Sequence, residues 1–247
     1  MVTLAIYNLK GGVGKTASAV NLAYLAALDG YKTLVWDADP QGSSSFYFGV
    51  EASVKNEARK ILEGELDLLK AVQPSAFENL SVVPSDLSAR NADILLSELK
   101  QNKKKISSLL SSVKKNFDVV FLDCPPGISL LHENIFNAAD YVIIPNIPTT
   151  LSIRSFETVN TYFKENDLDK SKLKCFFSMV DHRKNLHHET MNEFYKDKIF
   201  FKNYIPYLSD VEKMGVHQQP LFAFANSSYA AQCYRDLWKE IKKSCIN

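Results

Sequence analysis

The sequence predicts an α/β fold: a doubly wound, mostly parallel β-sheet with helices on both faces. Short apolar runs alternate along the chain with segments of helical periodicity, which is typical of a parallel sheet covered on both sides. The chain has 247 residues, of which 46% are hydrophobic and 23% charged. This is enough for one ordinary globular domain, and neither a repeat nor a linker divides it. We therefore expect a single domain over residues 1–247.

The predicted strands and helices follow one another along the whole chain. The apolar runs predict strands at Val2–Tyr7, Thr33–Asp37, Leu80–Val83, Val119–Leu122, Tyr141–Pro145 and Cys175–Val180. The helical periodicity predicts helices at Thr16–Asp29, Lys103–Asn116, Ser129–Ala138, Ser152–Glu165, His187–Lys196 and Ser228–Lys243. Gly30 is expected to end the first helix, and residues 51–73 are expected to be helical with a break at Gly64.

A glycine-rich segment at residues 10–16 connects the first predicted strand to the first predicted helix. Strand, glycine-rich turn and helix in this order are the context of a phosphate-binding loop. Glycine lets the backbone N–H groups turn toward a phosphate, and the N-terminus of the helix adds positive potential. The segment predicts a site for a nucleoside triphosphate, held by Lys10, Gly11, Gly12, Val13, Gly14, Lys15, Thr16 and Ala17.

Two side chains of this segment have specific expected roles. Lys15 is expected to reach the β- and γ-phosphates, and the Thr16 hydroxyl is expected to ligate Mg²⁺. Lys10 stands directly before the glycine pair, where it cannot easily fold back onto phosphates cradled by its own loop. We therefore expect Lys10 to point outward, toward a nucleotide that is held by a second copy of the chain.

Three carboxylates follow predicted strands, at the edge where open α/β sheets bind ligands. Asp37 and Asp39 lie at the end of the second strand, and Asp123 comes directly after the run Val119–Leu122. A single aspartate at such a point is usually a turn former. Two such points together with the loop favour a metal site, because Mg²⁺ binds one or two carboxylates directly or through water. We predict Thr16, Asp37 and Asp123 as its ligands.

The segments at residues 10–16, 37–42 and 123–126 together resemble the ParA/MinD family of deviant Walker A P-loop ATPases, and the resemblance extends along most of the chain. It implies that two subunits sandwich two ATP molecules and that Lys10 crosses the interface to the partner's phosphates. It also implies that Asp39 orients the attacking water, that Asp123 holds Mg²⁺ through water and that residues 123–126 sense the γ-phosphate. Lys10, Lys15 and Asp39 are thus the expected catalytic residues. The resemblance places base recognition partly in residues 205–211.

The family includes proteins that adhere to DNA and proteins that adhere to membranes through a C-terminal amphipathic tail. Here Tyr234, Leu237, Trp238 and Ile241 lie at helical spacing in what we interpret as the last core helix, so we expect no membrane binding. The chain resembles the small, Soj-like ParA proteins that have no N-terminal helix-turn-helix domain. Its four cysteines form no C-x-x-C pair, which fits a reducing cytosol. We expect a cytoplasmic protein, associated with the nucleoid if it binds DNA.

The expected DNA surface is only partly supported. Arg183 falls on the position of one DNA-contacting arginine of the family, and Lys184 follows it. Asp210 stands where a second family arginine is expected, and an acid there would repel phosphates. The formal net charge of +1 predicts neither DNA nor membrane binding. A lysine cluster at positions 103–105, 114 and 115 is another candidate, although exposed lysines on an amphipathic helix need no partner.

The leading functional hypothesis is a ParA-type ATPase that uses ATP and Mg²⁺. It would form an ATP-dependent homodimer and position a plasmid, a chromosome region or a protein cargo through nonspecific DNA binding, with a ParB-like or other adaptor stimulating its slow hydrolysis. The alternative is an ATP-gated regulatory or scaffolding partner that recruits an enzyme or secretion complex without DNA. A ligase-like or metallocluster-carrying relative would also share the loop, but the cysteine spacing disfavours a cluster carrier.

Overall fold

The computed structural model of the protein describes residues 1–99 and 103–247, and within them seven strands form one sheet. The strands are β1 Val2–Ile6, β2 Thr33–Asp37, β3 Gln73–Pro74, β4 Leu80–Val83, β5 Val119–Asp123, β6 Tyr141–Asn146 and β7 Leu173–Phe177. Their order is β3-β4-β2-β5-β1-β6-β7. All neighbouring strands are parallel except β3, which pairs antiparallel with β4.

Helices connect the strands and cover both faces of the sheet. In chain order they are α1 Lys15–Leu28, α2 Ser43–Tyr47, α3 Glu57–Glu63, α4 Leu68–Ala71, α5 Ala92–Ser97, α6 Lys105–Val113, α7 Leu130–Ala138, α8 Thr150–Glu165, α9 Asn185–Phe194, α10 Ser209–Glu212, α11 Met214–His217, α12 Leu221–Phe224 and α13 Tyr229–Ile241. Short 3₁₀ turns lie at Leu87–Asn91 and Lys170–Lys172, and a π-helical turn at Lys242–Ile246 follows α13. Among the described residues, we find no helix with both the length and the apolar character that crossing a bilayer requires.

Two apolar clusters, one on each face of the sheet, hold these layers together. Residues of α6, α7 and α8 pack on one face, and residues of α1, α12 and α13 pack on the other. Every residue of β2 and β5 is buried, as expected for central parallel strands covered on both sides. The predicted doubly wound α/β fold is confirmed.

The last long helix, α13, belongs to the core. Its apolar stripe of Tyr234, Leu237, Trp238 and Ile241 is at most 3% exposed. The indole Nε1 of Trp238 donates a 2.9 Å hydrogen bond to the Asp29 carboxylate just after α1. The interpretation of this stripe as a core face is therefore confirmed.

Several predicted boundaries were wrong for local physical reasons. The last strand spans Leu173–Phe177 instead of Cys175–Val180, because Met179 has a positive φ of 53° and ends the extended run. The backbone beyond it turns back beside the sheet, and single parallel bridges join Cys175 to Phe200 and Val180 to Pro206. The break predicted at Gly64 is present, with φ 86°, but within residues 51–73 only Glu57–Glu63 and Leu68–Ala71 are helical, and Gln73 belongs to β3.

Candidate active site

The glycine-rich loop lies between β1 and α1, in the middle of the sheet. Gly12 and Gly14 have φ values of 71° and 85°, a left-handed conformation that is costly for any residue with a Cβ. Gly14 directly precedes α1, so the loop leads into the positive end of that helix. The side-chain oxygen of Asn8 accepts a hydrogen bond from the backbone N–H of Lys10 at 2.9 Å. The hydroxyl of Ser178 donates one to the Val13 carbonyl at 2.8 Å. The loop is thus held at both ends in the shape of a phosphate cradle.

Lys15 crosses the loop that it belongs to. Its Nζ donates a 2.8 Å hydrogen bond to the Lys10 carbonyl, and the residue is 7% exposed. Burial lowers the pKa of Lys15, and the nearby Asp123 carboxylate acts in the opposite direction. The ammonium group therefore lies at the mouth of the cradle, where an anion would compensate for the water it has lost.

Asp123, the last residue of β5, is fully buried. Neither of its carboxylate oxygens has a hydrogen-bond partner within residues 1–99 and 103–247. Burial and, to a lesser extent, the charge of Asp37 raise its pKa to about 8, although the hydroxyls of Thr16 and Ser44 act against this rise. A buried carboxylate of this kind is costly unless a cation compensates for it.

The residues around Asp123 fit Mg²⁺. Mg²⁺ prefers hard oxygen ligands and is usually held by one or two carboxylates and several waters. The carboxylate of Asp123 and the hydroxyl of Thr16 supply such oxygens, and the Thr16 hydroxyl is close enough to lower the pKa of Asp123. These two residues would hold the ion, with Asp37 beside them.

Asp37 differs from Asp123, because its oxygens already accept hydrogen bonds. One oxygen accepts both the backbone N–H of Ser45 at 2.9 Å and its hydroxyl at 2.7 Å, and the other accepts the N–H of Asp39 at 3.2 Å. Burial raises the pKa of Asp37, and these bonds oppose the rise. Asp37 therefore fixes the loop that carries Asp39, a role that the sequence did not indicate. Its role as a metal ligand remains a prediction.

Asp39 lies half-buried on the wall of a cavity of about 530 Å³. The same cavity is lined by Gly11, Lys15 and Thr16 of the loop and by the Pro125–Pro126 pair after β5. One Asp39 oxygen accepts the backbone N–H of Gln41 at 2.9 Å. The predicted catalytic carboxylate and the predicted phosphate-binding residues thus meet at one cavity.

Lys10 lies at the rim of the site and makes a contact within its own chain. Its Nζ donates a 2.7 Å hydrogen bond to the carbonyl of Leu151, in the first turn of α8. The Leu151 side chain is 66% exposed, so this bond is at the surface. The ammonium group points away from the cradle. Its reach toward a nucleotide on a second copy of the chain remains a prediction.

A second cavity, of about 380 Å³, adjoins the other side of the loop. Gly12, Gly14 and Ala17 line it on one side, and the residues after β7 line it on the other. Those residues include most of the segment expected to recognise the base, namely Ile205, Pro206, Tyr207, Leu208 and Val211. Tyr47 and Met179 also line it, and no sequence pattern indicated them. A largely apolar cavity beside a phosphate loop is suited to a nucleobase.

The predicted DNA-binding residues lie outside both cavities. The Arg183 side chain is 86% exposed, and its guanidinium donates two 2.9 Å hydrogen bonds to the Asp181 carboxylate. These bonds hold the pKa of Asp181 well below its usual range. Lys184 directly precedes α9 and is exposed. Asp210 pairs with Lys213 at 3.0 Å. Lys103 of the other basic candidate pairs with Glu133 at 2.7 Å.

The unpartnered Asp123 carboxylate should make the metal-free protein less stable as the pH rises. Below about pH 4 the carboxyl is protonated in both the folded and the unfolded state, so it costs nothing. Between about pH 4 and 8 the unfolded chain loses this proton while the folded chain keeps it, so the free energy of unfolding falls by roughly 1–3 kcal/mol. Asp123→Asn should flatten this fall. Thermal melting of both proteins with EDTA at about pH 5 and pH 8 would measure it, and equal pH dependence would contradict it.

The sheet is mostly parallel, the phosphate-type loop follows its interior strand β1, and aspartates end the adjacent strands β2 and β5. These features define a P-loop nucleotide-binding protein. Comparisons with known proteins agree with this class. Residues 1–175 match the family model described as an AAA domain. The chain is 31% identical to the sporulation initiation inhibitor protein Soj of Bacillus subtilis, over 96% of this chain and 97% of that protein. It is 30% identical to the chromosome-partitioning ATPase Soj of Treponema pallidum, over 97% of this chain and 96% of that one.

Solved structures share the fold at lower identity. A putative plasmid partition protein from Borrelia burgdorferi, bound to AMPPNP, superposes with a TM-score of 0.87 at 20% identity and covers 98% of both chains. The cell division ATPase MinD of Pyrococcus furiosus superposes with a TM-score of 0.80 at 22% identity, again over 98% of both chains. The chain therefore belongs to the ParA/MinD family of P-loop ATPases, in its small Soj-like form, and is itself an ATPase.

Proposed function

We propose that this chain binds ATP and Mg²⁺ at the cavity beside the glycine-rich loop and closes into an ATP-dependent homodimer that positions a cargo. The observation that carries the proposal is the meeting of Lys15, Asp39 and the unpartnered Asp123 at one edge of the sheet. The Lys15 ammonium is buried close enough to Asp123 for that carboxylate to raise its pKa, and the Asp123 oxygens accept no hydrogen bond among the described residues. A buried ammonium and a buried carboxylate that keeps its oxygens free suit a magnesium–triphosphate substrate.

The chain's own residues then divide the work of phosphoryl transfer. The loop N–H groups and Lys15 would hold the phosphates, and Thr16 and Asp123 would hold Mg²⁺, which would supply positive charge beside the transferred group. Asp39 orients the attacking water on the open side of the cavity. Pro125 and Pro126 line the same cavity. They belong to residues 123–126, which the family resemblance makes a second switch that would sense the γ-phosphate, and we call residues 124–128 the second switch loop. Hydrolysis by this arrangement is expected to be slow until an adaptor protein stimulates it.

The proposed cargo function is the positioning of a plasmid, a chromosome region or a protein complex over nucleoid DNA. It is supported by the relatives, whose names describe chromosome-partitioning and plasmid partition proteins. A ParB-like or other adaptor would stimulate hydrolysis and release the dimer. The experiment is to measure binding to arbitrary duplex DNA with and without a nonhydrolysable ATP analogue, together with the size of the protein in both states. ATP-dependent dimerisation with no DNA binding at low salt would exclude the DNA part.

If the dimer binds DNA, Arg183→Ala should weaken the binding severalfold and lower the slope of log K against log salt by about 1. The guanidinium is exposed and can exchange the Asp181 carboxylate for a phosphate. Arg59→Ala is the matched control, since Arg59 is also exposed and is paired with Glu63. Fluorescence anisotropy at several salt concentrations would measure both. An equal effect of the two substitutions would show that Arg183 is not part of the DNA surface.

A second candidate function is favoured by the acids on the same surface. Asp181 holds the Arg183 guanidinium, and Asp210 stands where the resemblance implies an arginine. These acids suit a regulatory or scaffolding partner that uses the ATP-dependent dimer to recruit an enzyme or secretion complex without DNA. Binding of a protein partner to the ATP-trapped Asp39→Ala dimer and not to a Lys15→Ala protein, with no DNA binding by either, would favour this function.

A further inference from the structure

Hydrogen bonds from two buried side chains hold the second switch loop, which follows Asp123. The hydroxyl of Tyr7 donates to the Gly127 carbonyl at 2.8 Å. His132 Nε2 lies 3.0 Å from the Pro125 carbonyl. The backbone adds one bond, from the Gly127 N–H to the Leu9 carbonyl at 3.0 Å. Tyr7 directly follows β1, so it connects the strand that leads into the phosphate loop with the loop that follows the proposed magnesium ligand.

The hydrogen-bond partners of His132 define its tautomer. A backbone carbonyl can only accept, so Nε2 must carry a hydrogen and donate it to Pro125. The other nitrogen, Nδ1, lies 2.8 Å from the hydroxyl of Ser129, which can donate to it. Burial lowers the pKa of His132, in agreement with a neutral ring. The imidazole is therefore a neutral donor aimed at the switch loop.

Packing fixes both side chains in place. Tyr7 is fully buried and His132 is 3% exposed. Their ring centroids are 5.3 Å apart, and Phe136 packs edge-on against Tyr7 at 4.8 Å. The switch loop itself is less confined, because a cavity of about 320 Å³ lies between its residues 125–128 and Pro40 and Arg90. The hydrogen bonds, more than packing, therefore set where the loop lies.

We propose that Tyr7 and His132 are positioning residues that fix the second switch loop relative to the phosphate loop for hydrolysis. This inference rests on the proposed binding and hydrolysis of ATP at this site. Pro125, whose carbonyl His132 binds, lines the same cavity as Asp39 and Lys15. Loss of the donor frees the loop to shift into the neighbouring cavity, so that the γ-phosphate and the attacking water are aligned less often. Binding of ATP itself depends on the loop at residues 10–16 and is spared.

Two substitutions at His132 distinguish the effect of losing the hydrogen bond to Pro125 from the effect of losing the imidazole ring. In His132→Gln the amide nitrogen takes the place of Nε2 and can still donate to Pro125, whereas in His132→Asn it takes the place of Nδ1 and cannot. We expect His132→Asn to lower kcat for ATP hydrolysis about fivefold to tenfold with KM within about twofold, because the Pro125 carbonyl loses the donor that holds it in place. His132→Gln should keep kcat within about twofold of the unchanged protein. Tyr7→Phe, which removes the bond to Gly127, should resemble His132→Asn.

Phe163→Leu is the stability control, since Phe163 is fully buried, packs on Phe136 and, as a hydrocarbon side chain, makes none of the hydrogen bonds that hold the switch loop. It should lower Tm and leave kcat unchanged. Equal kcat losses in His132→Gln and His132→Asn, or an unchanged kcat in both His132→Asn and Tyr7→Phe, would overturn the inference. Absence of ATP turnover in the unchanged protein would instead contradict the proposed function, so the two failures are distinguishable.

Discussion

Replacing Asp39 by alanine is expected to lower kcat for ATP hydrolysis by about 100-fold or more, with the affinity for ATP nearly unchanged. Asp39 lines the cavity after β2, whereas the residues proposed to hold the phosphates and Mg²⁺ lie in the glycine-rich loop, at the start of α1 and at the end of β5. In the proposed mechanism its carboxylate acts on the attacking water and should contribute little to ATP binding. Steady-state turnover and equilibrium binding of ATP would give the two quantities separately.

Asp39→Asn is a matched variant, because its amide oxygen can still accept the backbone N–H of Gln41 that Asp39 accepts now. It should preserve the local turn and still lose most of the ATP hydrolysis, since an amide lacks the negative charge with which the carboxylate orients the water. Lys15→Ala gives the opposite pattern, with ATP binding itself lost. If Asp39→Ala retained its turnover, the assignment of the water-orienting residue would be wrong.

The sheet could be predicted because its central strands are buried on both faces. β2 and β5 are continuous apolar runs that end in aspartate, and such runs are visible without knowledge of their partners. β3 was missed because it has only two residues and lies at the edge of the sheet, where it pairs with β4 alone. One of its residues, Pro74, has no N–H to donate to a neighbouring strand. The short helices α2, α5, α10, α11 and α12 were missed for a similar reason, since four to six residues show too little periodicity.

The candidate site was predicted where one local segment supplies the chemistry and was missed where distant segments meet. The glycine pattern by itself identified the phosphate loop, and the ends of the apolar runs identified the acids. The bond between Ser45 and Asp37 spans eight residues, and that between Tyr7 and Gly127 spans 120. Pairings of this kind depend on how the chain folds back and leave no pattern in the sequence. His132 could not have been distinguished from an ordinary core histidine.

The position of Lys10 connects the nucleotide site with the proposed dimer. In the isolated chain its ammonium group is bound to a single exposed carbonyl, that of Leu151, at 2.7 Å. An exposed neutral acceptor is easily exchanged for a phosphate, because the ammonium is attracted more strongly to a negative charge than to a neutral carbonyl. ATP on a second subunit would therefore draw Lys10 away from the Leu151 carbonyl in the first turn of α8.

Lys10→Ala should leave the affinity of a single chain for ATP within about twofold and weaken the ATP-dependent dimer by about 100-fold or more. A twofold-symmetric dimer loses both lysines at once, and a charged hydrogen bond contributes about 1.5–3 kcal/mol, so the two together contribute about 3–6 kcal/mol. Sedimentation of the protein with a nonhydrolysable ATP analogue, over a range of protein concentrations, would measure the dimer. Lys70→Ala, at an exposed lysine of α4, is the control for the lost charge. A dimer of unchanged stability in Lys10→Ala would show that this lysine stays on its own subunit and would remove the main argument for a shared site.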